Sequence, residues 1–271
     1  MKYDLFDADR LGLIKFPDGF FYPNFQEGVN IVQRGNIFSI ESMGLVDGPG
    51  IRCVVFMSGC PLRCAFCHNP ESWDESGKMS ISPDELLKKV LKFKPYFDRS
   101  GGGVTFSGGE PLMQPEFLIK CLSLLKKEGI HTALDTSGVG NERYFEKILS
   151  LCDMVLYDVK ATDDASYKKL CKSDIRITES FQRALDKSAA KIIVRQVVIP
   201  RINDTDEYMK KLKEYIKTNL PRCEKVELLP FHKSGEHKYK AMGKTFPLAD
   251  TEEMTKERTE YFMKYFEDIR G

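Results

Sequence analysis

Apolar and polar positions along the chain switch repeatedly between two periods. Ile51 to Met57 is a short apolar run with Val, Ile and Phe, which predicts a strand. Ser82-Pro83-Asp84-Glu85 then supplies an N-cap, a proline at the first helical position and two acids in the first turn. Leu86, Leu87, Val90 and Leu91 follow at helical spacing. Val104 to Phe106 predicts the next strand. Pro115 opens a helix with Phe117, Leu118, Cys121, Leu122 and Leu125 on one side and Gly129 as its stop. The cycle continues with strands at Ile130–Leu134, Met154–Val159, Lys191–Ile199 and Lys225–Leu229, and helices at about 142–150, 175–190, 205–218 and 251–268. The last helix is expected to carry Met254, Tyr261, Phe262, Tyr265, Phe266 and Ile269 on a shared face. Six strand–helix units imply an α/β fold with a parallel sheet covered by helices. Periodicity does not separate an open doubly wound sheet from all or part of a barrel, and both place their sites at the C-terminal ends of the strands. Polar residues cluster at those ends here.

Residues 1–34 differ from this pattern. They are rich in Phe and Gly, with turn signals at Phe16-Pro17-Asp18-Gly19 and Phe20-Phe21-Tyr22-Pro23, and are expected to form a short β-rich extension packed on the core. The remaining residues, 35–271, are expected to be the main domain. With 42% apolar and 30% charged residues in 271, the chain has the balance of an ordinary soluble enzyme. Lys and Arg number 41 against 40 Asp and Glu, a net charge of +1, so nothing electrostatic points to a nucleic acid or an anionic membrane. No apolar run approaches the ~20 residues of a membrane span. Met1–Arg10 carries three aspartates and no apolar segment, unlike a secretory signal or a transit peptide, so a cytoplasmic protein is expected.

The cysteines change the picture most. Three of eight crowd into Cys60-Pro-Leu-Arg-Cys64-Ala-Phe-Cys67, a C-x3-C-x2-C spacing directly after the first strand, while Cys53, Cys121, Cys152, Cys171 and Cys223 are scattered singly. A disulfide framework would spread its cysteines through a short secreted chain, whereas clustered thiols point to a metal. A structural zinc site needs a fourth ligand, and His68 is poorly placed beside Cys67 to supply it. Three thiolates instead hold three irons of a four-iron cluster and leave the fourth open to an exogenous ligand. Spacing alone leaves both metals open.

The C-x3-C-x2-C motif, with the aromatic Phe66 before its third cysteine, resembles the signature of the radical S-adenosylmethionine enzymes, and within them that of the glycyl-radical-enzyme activases. Supporting stretches are Glu41-Ser42, Asp47-Gly48-Pro49-Gly50-Ile51-Arg52, Cys67-His68-Asn69 with Trp73, and Gly101-Gly102-Gly103-Val104-Thr105. They continue with Ser107-Gly108-Gly109-Glu110, Leu134-Asp135-Thr136, Asp158-Val159-Lys160, Glu227-Leu228-Leu229-Pro230-Phe231-His232 and Ala241-Met242-Gly243. The likeness runs in order over about residues 35–271. It implies a partial (βα)6 TIM-like barrel with a [4Fe-4S] cluster on Cys60, Cys64 and Cys67 at its mouth. It further implies S-adenosyl-L-methionine bound to the open iron, reductive cleavage to a 5′-deoxyadenosyl radical, and hydrogen abstraction from a glycine of a partner enzyme. In such chemistry the protein's task is to orient the cofactor and exclude competitors for the radical.

The resemblance also assigns residues. Phe66, Cys67, His68 and Asn69 of the cysteine loop fall on the cofactor. Gly108 and Gly109 allow close backbone approach to its methionine end, although a tight turn is the plain alternative; Glu110 either receives the ammonium or stabilises that turn. Asp135 and Asp158 end adjacent strands and would repel unless a cation sits between them. The resemblance implies a monovalent cation, K+ or Na+, held by Asp135, Thr136, Asp158 and the backbone of Leu156. Asp158, Val159 and Lys160 belong to the cofactor site, with Asp158 and Lys160 on one side of the strand. His232 is expected to contact the adenosine and Val197 to line the adenine pocket. The Asp47-Gly48-Pro49-Gly50 loop is expected to contact the partner, as is Arg195, for which the cofactor is the alternative. Many relatives activating a dehydratase or decarboxylase carry an insert with added cysteine pairs; here Asn69 runs to Trp73 and the Ser82 helix without one. That favours pyruvate formate-lyase as the partner, with flavodoxin or ferredoxin as electron donor. A zinc-binding interaction module remains the alternative from another class, and it leaves Gly108-Gly109-Glu110, Asp158-Val159-Lys160 and His232 without a role.

Overall fold

A computed structural model describes residues 13–15, 21–23 and 33–269. The chain divides into two compact units, Met1–Val32 and Gln33–Gly271. In the first, β1 (Leu13–Lys15) pairs antiparallel with β2 (Phe21–Pro23), Leu13 opposite Pro23. The segments 1–12, 16–20 and 24–32, including the turn expected at Phe16–Gly19, lie outside the described residues; most of the second expected turn, Phe20–Pro23, is the strand β2, and residues 33 and 34 belong to the second unit.

The second unit is built on one eight-stranded sheet. β3 (Gly35–Gly44) lies antiparallel to β4 (Arg52–Met57) and, on its other side, to β5 (Met79–Ile81). From β4 onward the sheet is parallel: β6 (Gly103–Gly108), β7 (His131–Thr136), β8 (Met154–Asp158), β9 (Lys191–Val198) and β10 (Cys223–Pro230) add in chain order. The order β10-β9-β8-β7-β6-β4-β3-β5 leaves β10 and β5 as the two edges, so the wall is unclosed. Six parallel strands joined through helices form the incomplete (βα)6 barrel, and β3 and β5 extend it at one side.

The parallel strands read as near-continuous apolar runs because both faces are covered. Val54, Val55, Val104, Phe106, Leu134, Val155, Ile192 and Val194 are all fully buried. The outer layer starts with α1 (Pro83–Val90), which opens on a reciprocal capping box. Glu85 N donates to Ser82 Oγ at 3.2 Å and Ser82 N donates to Glu85 Oε2 at 2.8 Å. α2 (Lys94–Ser100) follows, then α3 (Pro115–Lys127), whose Phe117, Leu118, Cys121, Leu122 and Leu125 form the expected buried face. α4 (Phe145–Leu149), α5 (Asp164–Cys171), α6 (Glu179–Lys187), α7 (Asp206–Asn219), α8 (Glu236–Ala241) and α9 (Lys256–Met263) complete it. None is long and apolar enough to cross a membrane, among the described residues.

Several boundaries differ from the sequence expectation. The helix expected over 175–190 is a 3-10 turn at Ile175–Thr178 continued by α6, and the one expected over 251–268 begins only at Lys256, with Met254 packed ahead of it. β3, β5, α2, α5 and α8 were not expected at all. α5 is short, but it carries its own signals: Asp163 caps it through Ser166 N at 2.8 Å, and Tyr167, Leu170 and Cys171 share its buried side.

The barrel interior holds an unusual cation near its base. Arg52 is fully buried at the start of β4. It donates to Thr105 Oγ1 at 2.6 Å, Val104 O at 2.7 Å and Pro49 O at 3.1 Å, and lies 3.4 Å from His131 Nδ1. Thr105 Oγ1 in turn donates to Asp47 O at 2.6 Å. Burial lowers the Arg52 pKa to about 10, with Asp47 and Asp153 opposing, so the guanidinium remains charged and fastens the loop before β4 to the sheet. Arg52→Met removes these bonds and leaves their acceptors unpaired. It is expected to cost about 2–3 kcal/mol, read as a lower urea midpoint at unchanged slope.

Candidate active site

The C-terminal ends of the strands and the loop after β4 enclose a cavity of about 230 Å³. The loop contributes Cys60, Cys64, Cys67, Phe66, His68 and Asn69 to its lining; the strand ends contribute Gly108, Gly109, Glu110, Asp135, Thr136, Asp158, Lys160, Arg195 and Val197. Fifteen of the candidate site residues therefore meet around one space, from segments up to 137 positions apart (197 less 60).

Backbone hydrogen bonds fix the cysteine loop. Ala65 N donates to Leu170 O at 2.8 Å and Arg63 N to Cys171 O at 3.0 Å, tying the loop to the end of α5. Arg63 Nη1 donates back to Cys60 O at 2.6 Å. Ser72 Oγ donates to Asn69 O at 2.7 Å, and Lys238 Nζ to Asn69 Oδ1 at 2.9 Å. Burial pushes the Cys60 thiol up and that of Cys67 up to about 11, while a hydrogen bond with Cys171 and then burial raise Cys64 well above a free thiol. The three thiols are therefore protonated in the metal-free chain, and a metal that binds there must displace their protons. Among the described residues no three His, Cys, Asp or Glu side chains converge as one metal ion requires. A cluster asks for something wider, one iron per cysteine. Two buried hydroxyls near the loop, Tyr167 Oη on α5 and Tyr239 Oη on α8, have no partner. Burial raises both phenols, so both remain donors with nothing yet to bond. Sulfur-rich surroundings for a cluster fit this donor set.

The turn after β6 explains its glycines. Gly108 has φ +108°, and a Cβ there would stand 2.4 Å from Met57 N; a Cβ on Gly109 would stand 2.3 Å from Gly59 O. Packing of two backbones alone requires glycine at both positions, and both also line the cavity. Glu110 is buried and saturated. Oε1 accepts from Thr136 Oγ1 at 2.6 Å and Leu112 N at 3.2 Å, and Oε2 from Ser137 Oγ at 2.6 Å and Ser137 N at 2.9 Å. These four bonds use its acceptor sites, so Glu110 staples the end of β6 to the end of β7. Burial raises its pKa against the pull of those donors.

Charges converge beyond that staple. Asp135 Oδ2 accepts from Ser107 Oγ at 2.6 Å, whereas its buried Oδ1 has no hydrogen-bond partner and faces Arg195 Nη1 at 3.8 Å. Burial and then the Asp158 charge push Asp135 up to about 7, with Arg195 opposing. Lys160 Nζ donates to Asp158 Oδ2 at 2.6 Å and lies 5.7 Å from the Phe66 ring centre. Burial works against the lysine's charge, yet the paired Asp158 carboxylate holds its pKa well above normal. An unsatisfied carboxylate oxygen beside a paired lysine and carboxylate can receive a cation or an ammonium, and offers an anion Lys160.

Not every expected residue faces this cavity. Leu156 turns its side chain to a small apolar cluster with Ala133 and Met154, and its backbone stands in register with Asp135. Val159 is buried and donates its N–H to Arg195 O at 2.9 Å. His232 does not line the cavity and reaches the site through His68: the rings lie 4.0 Å apart and His68 Nε2 is 3.0 Å from His232 O. Burial first and His232 second keep His68 below the ordinary histidine pKa. Gly48 and Pro49 line a second cavity of about 620 Å³, with Leu45, Val46, Ile193 and Glu227, toward the N-terminal ends of the strands. Arg195 joins the two spaces. It lines the first and donates to Val46 O at 2.6 Å and Glu227 Oε2 at 3.1 Å in the second. Sequence reasoning gave no role to Ser107, Tyr167, Tyr239 or Cys171. Ser107 sits in the Ser-Gly-Gly-Glu stretch and could have been found there; the other three carry no local signal.

A partial α/β barrel that gathers three cysteines of one loop and a set of buried charges at its strand ends defines an enzyme of metal-cluster and small-molecule chemistry. Residues 54–219 match the Radical SAM superfamily. The pyruvate formate-lyase-activating enzyme of Clostridium pasteurianum is 51% identical over 235 residues, covering 87% of this chain and 98% of that one. Its counterpart in Staphylococcus aureus is 41% identical over 226 residues, covering 81% and 90%. A crystallised domain of a pyruvate-formate lyase-activating enzyme from Bacteroides vulgatus superposes with a TM-score of 0.51 at 25% identity, covering 62% of this chain and 95% of that one. A radical SAM methyltransferase from Sphaerobacter thermophilus shares the fold, with a TM-score of 0.59 at 15% identity over 86% of this chain and 75% of that one. The chain belongs to the Radical SAM superfamily and, within it, to the family of the pyruvate formate-lyase-activating enzymes.

The raised Asp135 pKa has a consequence for the metal-free protein. Stability from this group is fully present below its ordinary value of 3.8 and is lost as pH rises through about 7. Asp135→Asn is therefore expected to raise the melting temperature, with a gain absent near pH 4, growing to pH 7 and constant above it. A gain that shrinks as pH rises would contradict the charge assignment.

Proposed function

We propose that the chain is the activating enzyme of a glycyl radical enzyme, acting on pyruvate formate-lyase. Its resident groups are a [4Fe-4S] cluster and S-adenosyl-L-methionine, as in the superfamily to which it belongs. With both bound, the cluster would supply the electron for reductive cleavage of the sulfonium, the chemistry by which a hydrogen would be taken from a glycine α-carbon of the partner. The observation behind this assignment is the single cavity that joins the C-x3-C-x2-C loop to the charged strand ends.

The chain's own residues divide the work. Cys60, Cys64 and Cys67 hold three irons and leave one open. Gly108 and Gly109 let the backbone come close to the methionyl end, and Glu110 keeps that turn in place. Asp158 and Lys160, paired at 2.6 Å, face the same end. Asp135, with its unsatisfied Oδ1, joins Thr136, Asp158 and the Leu156 carbonyl as the site of a monovalent cation, K+ or Na+. Such a cation would satisfy that oxygen and hold Asp135 ionised. Phe66, Val197 and His68 with His232 wall the nucleoside side and exclude water. The loop 47–50 meets the partner, next to Leu45 and Val46, which are 72% and 79% exposed despite their apolar side chains; Arg195, expected to share that contact, is buried and acts on this segment from inside through Val46 O. Flavodoxin or ferredoxin supplies the electron.

Anaerobic reconstitution, reduction and addition of S-adenosylmethionine with pyruvate formate-lyase should produce a glycyl radical EPR signal together with 5′-deoxyadenosine. Deoxyadenosine without the signal would move the partner to a dehydratase or decarboxylase; neither product from cluster-loaded protein would overturn the proposal. Replacing Cys60, Cys64 or Cys67 with Ala should abolish cluster absorbance, and absorbance retained in any one would remove that residue from the ligand set. His232→Ala should weaken S-adenosylmethionine binding by about tenfold, about 1.4 kcal/mol, at unchanged iron content. An unchanged affinity would leave His232 only its contact with His68.

A further inference from the structure

Cys171 ends α5 and is completely buried, with its Sγ 3.7 Å from Cys64 Sγ. The approach is built by the backbone. The end of α5 leaves carbonyls without helical partners, and two of them, Leu170 O and Cys171 O, accept from the amides on either side of Cys64, at 2.8 Å from Ala65 N and 3.0 Å from Arg63 N. Four residues earlier on the same side of the helix, the buried Tyr167 hydroxyl lacks a partner. Two sulfurs in contact cannot each hold a separate iron of one cluster, so Cys171 is no fourth ligand.

In the metal-free chain the Cys64 thiol donates to Cys171. An iron-bound cysteine has lost its proton, so once Cys64 is a ligand only Cys171 has a hydrogen to give. We propose that Cys171 is a positioning residue for the cluster: its S–H donates to the iron-bound Cys64 sulfur and raises the cluster's reduction potential. Reduction adds negative charge that is shared with the ligand sulfurs, and a donor aimed at one of them stabilises the more negative state more. Burial strengthens the effect, because no water competes for the bond. Cluster reduction thereby becomes easier for a given donor. The inference rests on the cluster assignment of Cys60, Cys64 and Cys67.

Three variants of the whole cluster-loaded enzyme test it by redox titration monitored by EPR. Cys171→Ala and the nearly isosteric Cys171→Val have no donor, and both should disfavour reduction by about tenfold, which is 59 mV for a one-electron couple. Cys171→Ser keeps a donor and should restore most of the wild-type potential. In deuterated buffer, pulsed EPR of the reduced cluster should show one exchangeable-proton coupling fewer in the Ala and Val variants than in the wild type and the Ser variant. Unshifted potentials in Ala and Val, or equal shifts in all three variants, would reduce Cys171 to a packing residue. A wild-type chain that takes up no iron and sulfide would overturn the cluster assignment itself, and this inference with it.

Discussion

The buried guanidinium of Arg195 is the interaction on which the barrel interior depends. Its strand places it in register with Asp158 on one side and Glu227 on the other, and Asp135 lies within 3.8 Å. Three carboxylates in so small a space would repel one another or protonate without a cation among them. Burial works against the arginine's charge, yet Asp135, Asp158 and Glu227 together hold it above the ordinary value. Its remaining N–H groups reach Val46 O, so the same side chain that balances the strand-end charges also seats the loop before β4. Arginine suits this position because its planar fork presents several donors in fixed directions and does not deprotonate.

That charge balance explains why the two cavities differ. Above Arg195, toward the C-terminal strand ends, Asp135, Asp158 and Lys160 share the space with the cysteine loop. Below it, the apolar Leu45, Val46, Pro49 and Ile193 line the space together with Lys225 and Glu227. The region above suits a zwitterionic small molecule beside a metal group.

How much of this was legible beforehand follows from the range over which each feature is encoded. The parallel strands and α3 announce themselves within a few residues, through apolar runs and a capped, periodic helix. The cysteine loop is equally local, and its spacing alone pointed to a metal. Glu110 is the opposite case: its sequence neighbours leave contact with an ammonium and support of a turn equally open, and only the arrival of Thr136 and Ser137 from the next strand fills its acceptor sites. Gly108 and Gly109 stayed ambiguous for the same reason, since the backbone that excludes a Cβ belongs to Met57 and Gly59. α5 has a cap but only eight residues, with Tyr167, Leu170 and Cys171 buried, too short a run for a helical period to stand out.

Missing α5 had a price, because that short helix does more than cover the sheet. Its C-terminal carbonyls supply the partners for Arg63 N and Ala65 N, so the shape of the cysteine loop depends on where α5 ends. That end is set by Lys172, which takes a left-handed conformation at φ 60° and stops the helix at Cys171. A helix one turn longer would keep Leu170 O and Cys171 O for its own N–H groups and leave the loop amides unpaired. The geometry of three cysteines close in sequence is therefore controlled by a backbone turn more than a hundred residues away, and the thiol carried to them by that turn comes as a consequence of the same two hydrogen bonds.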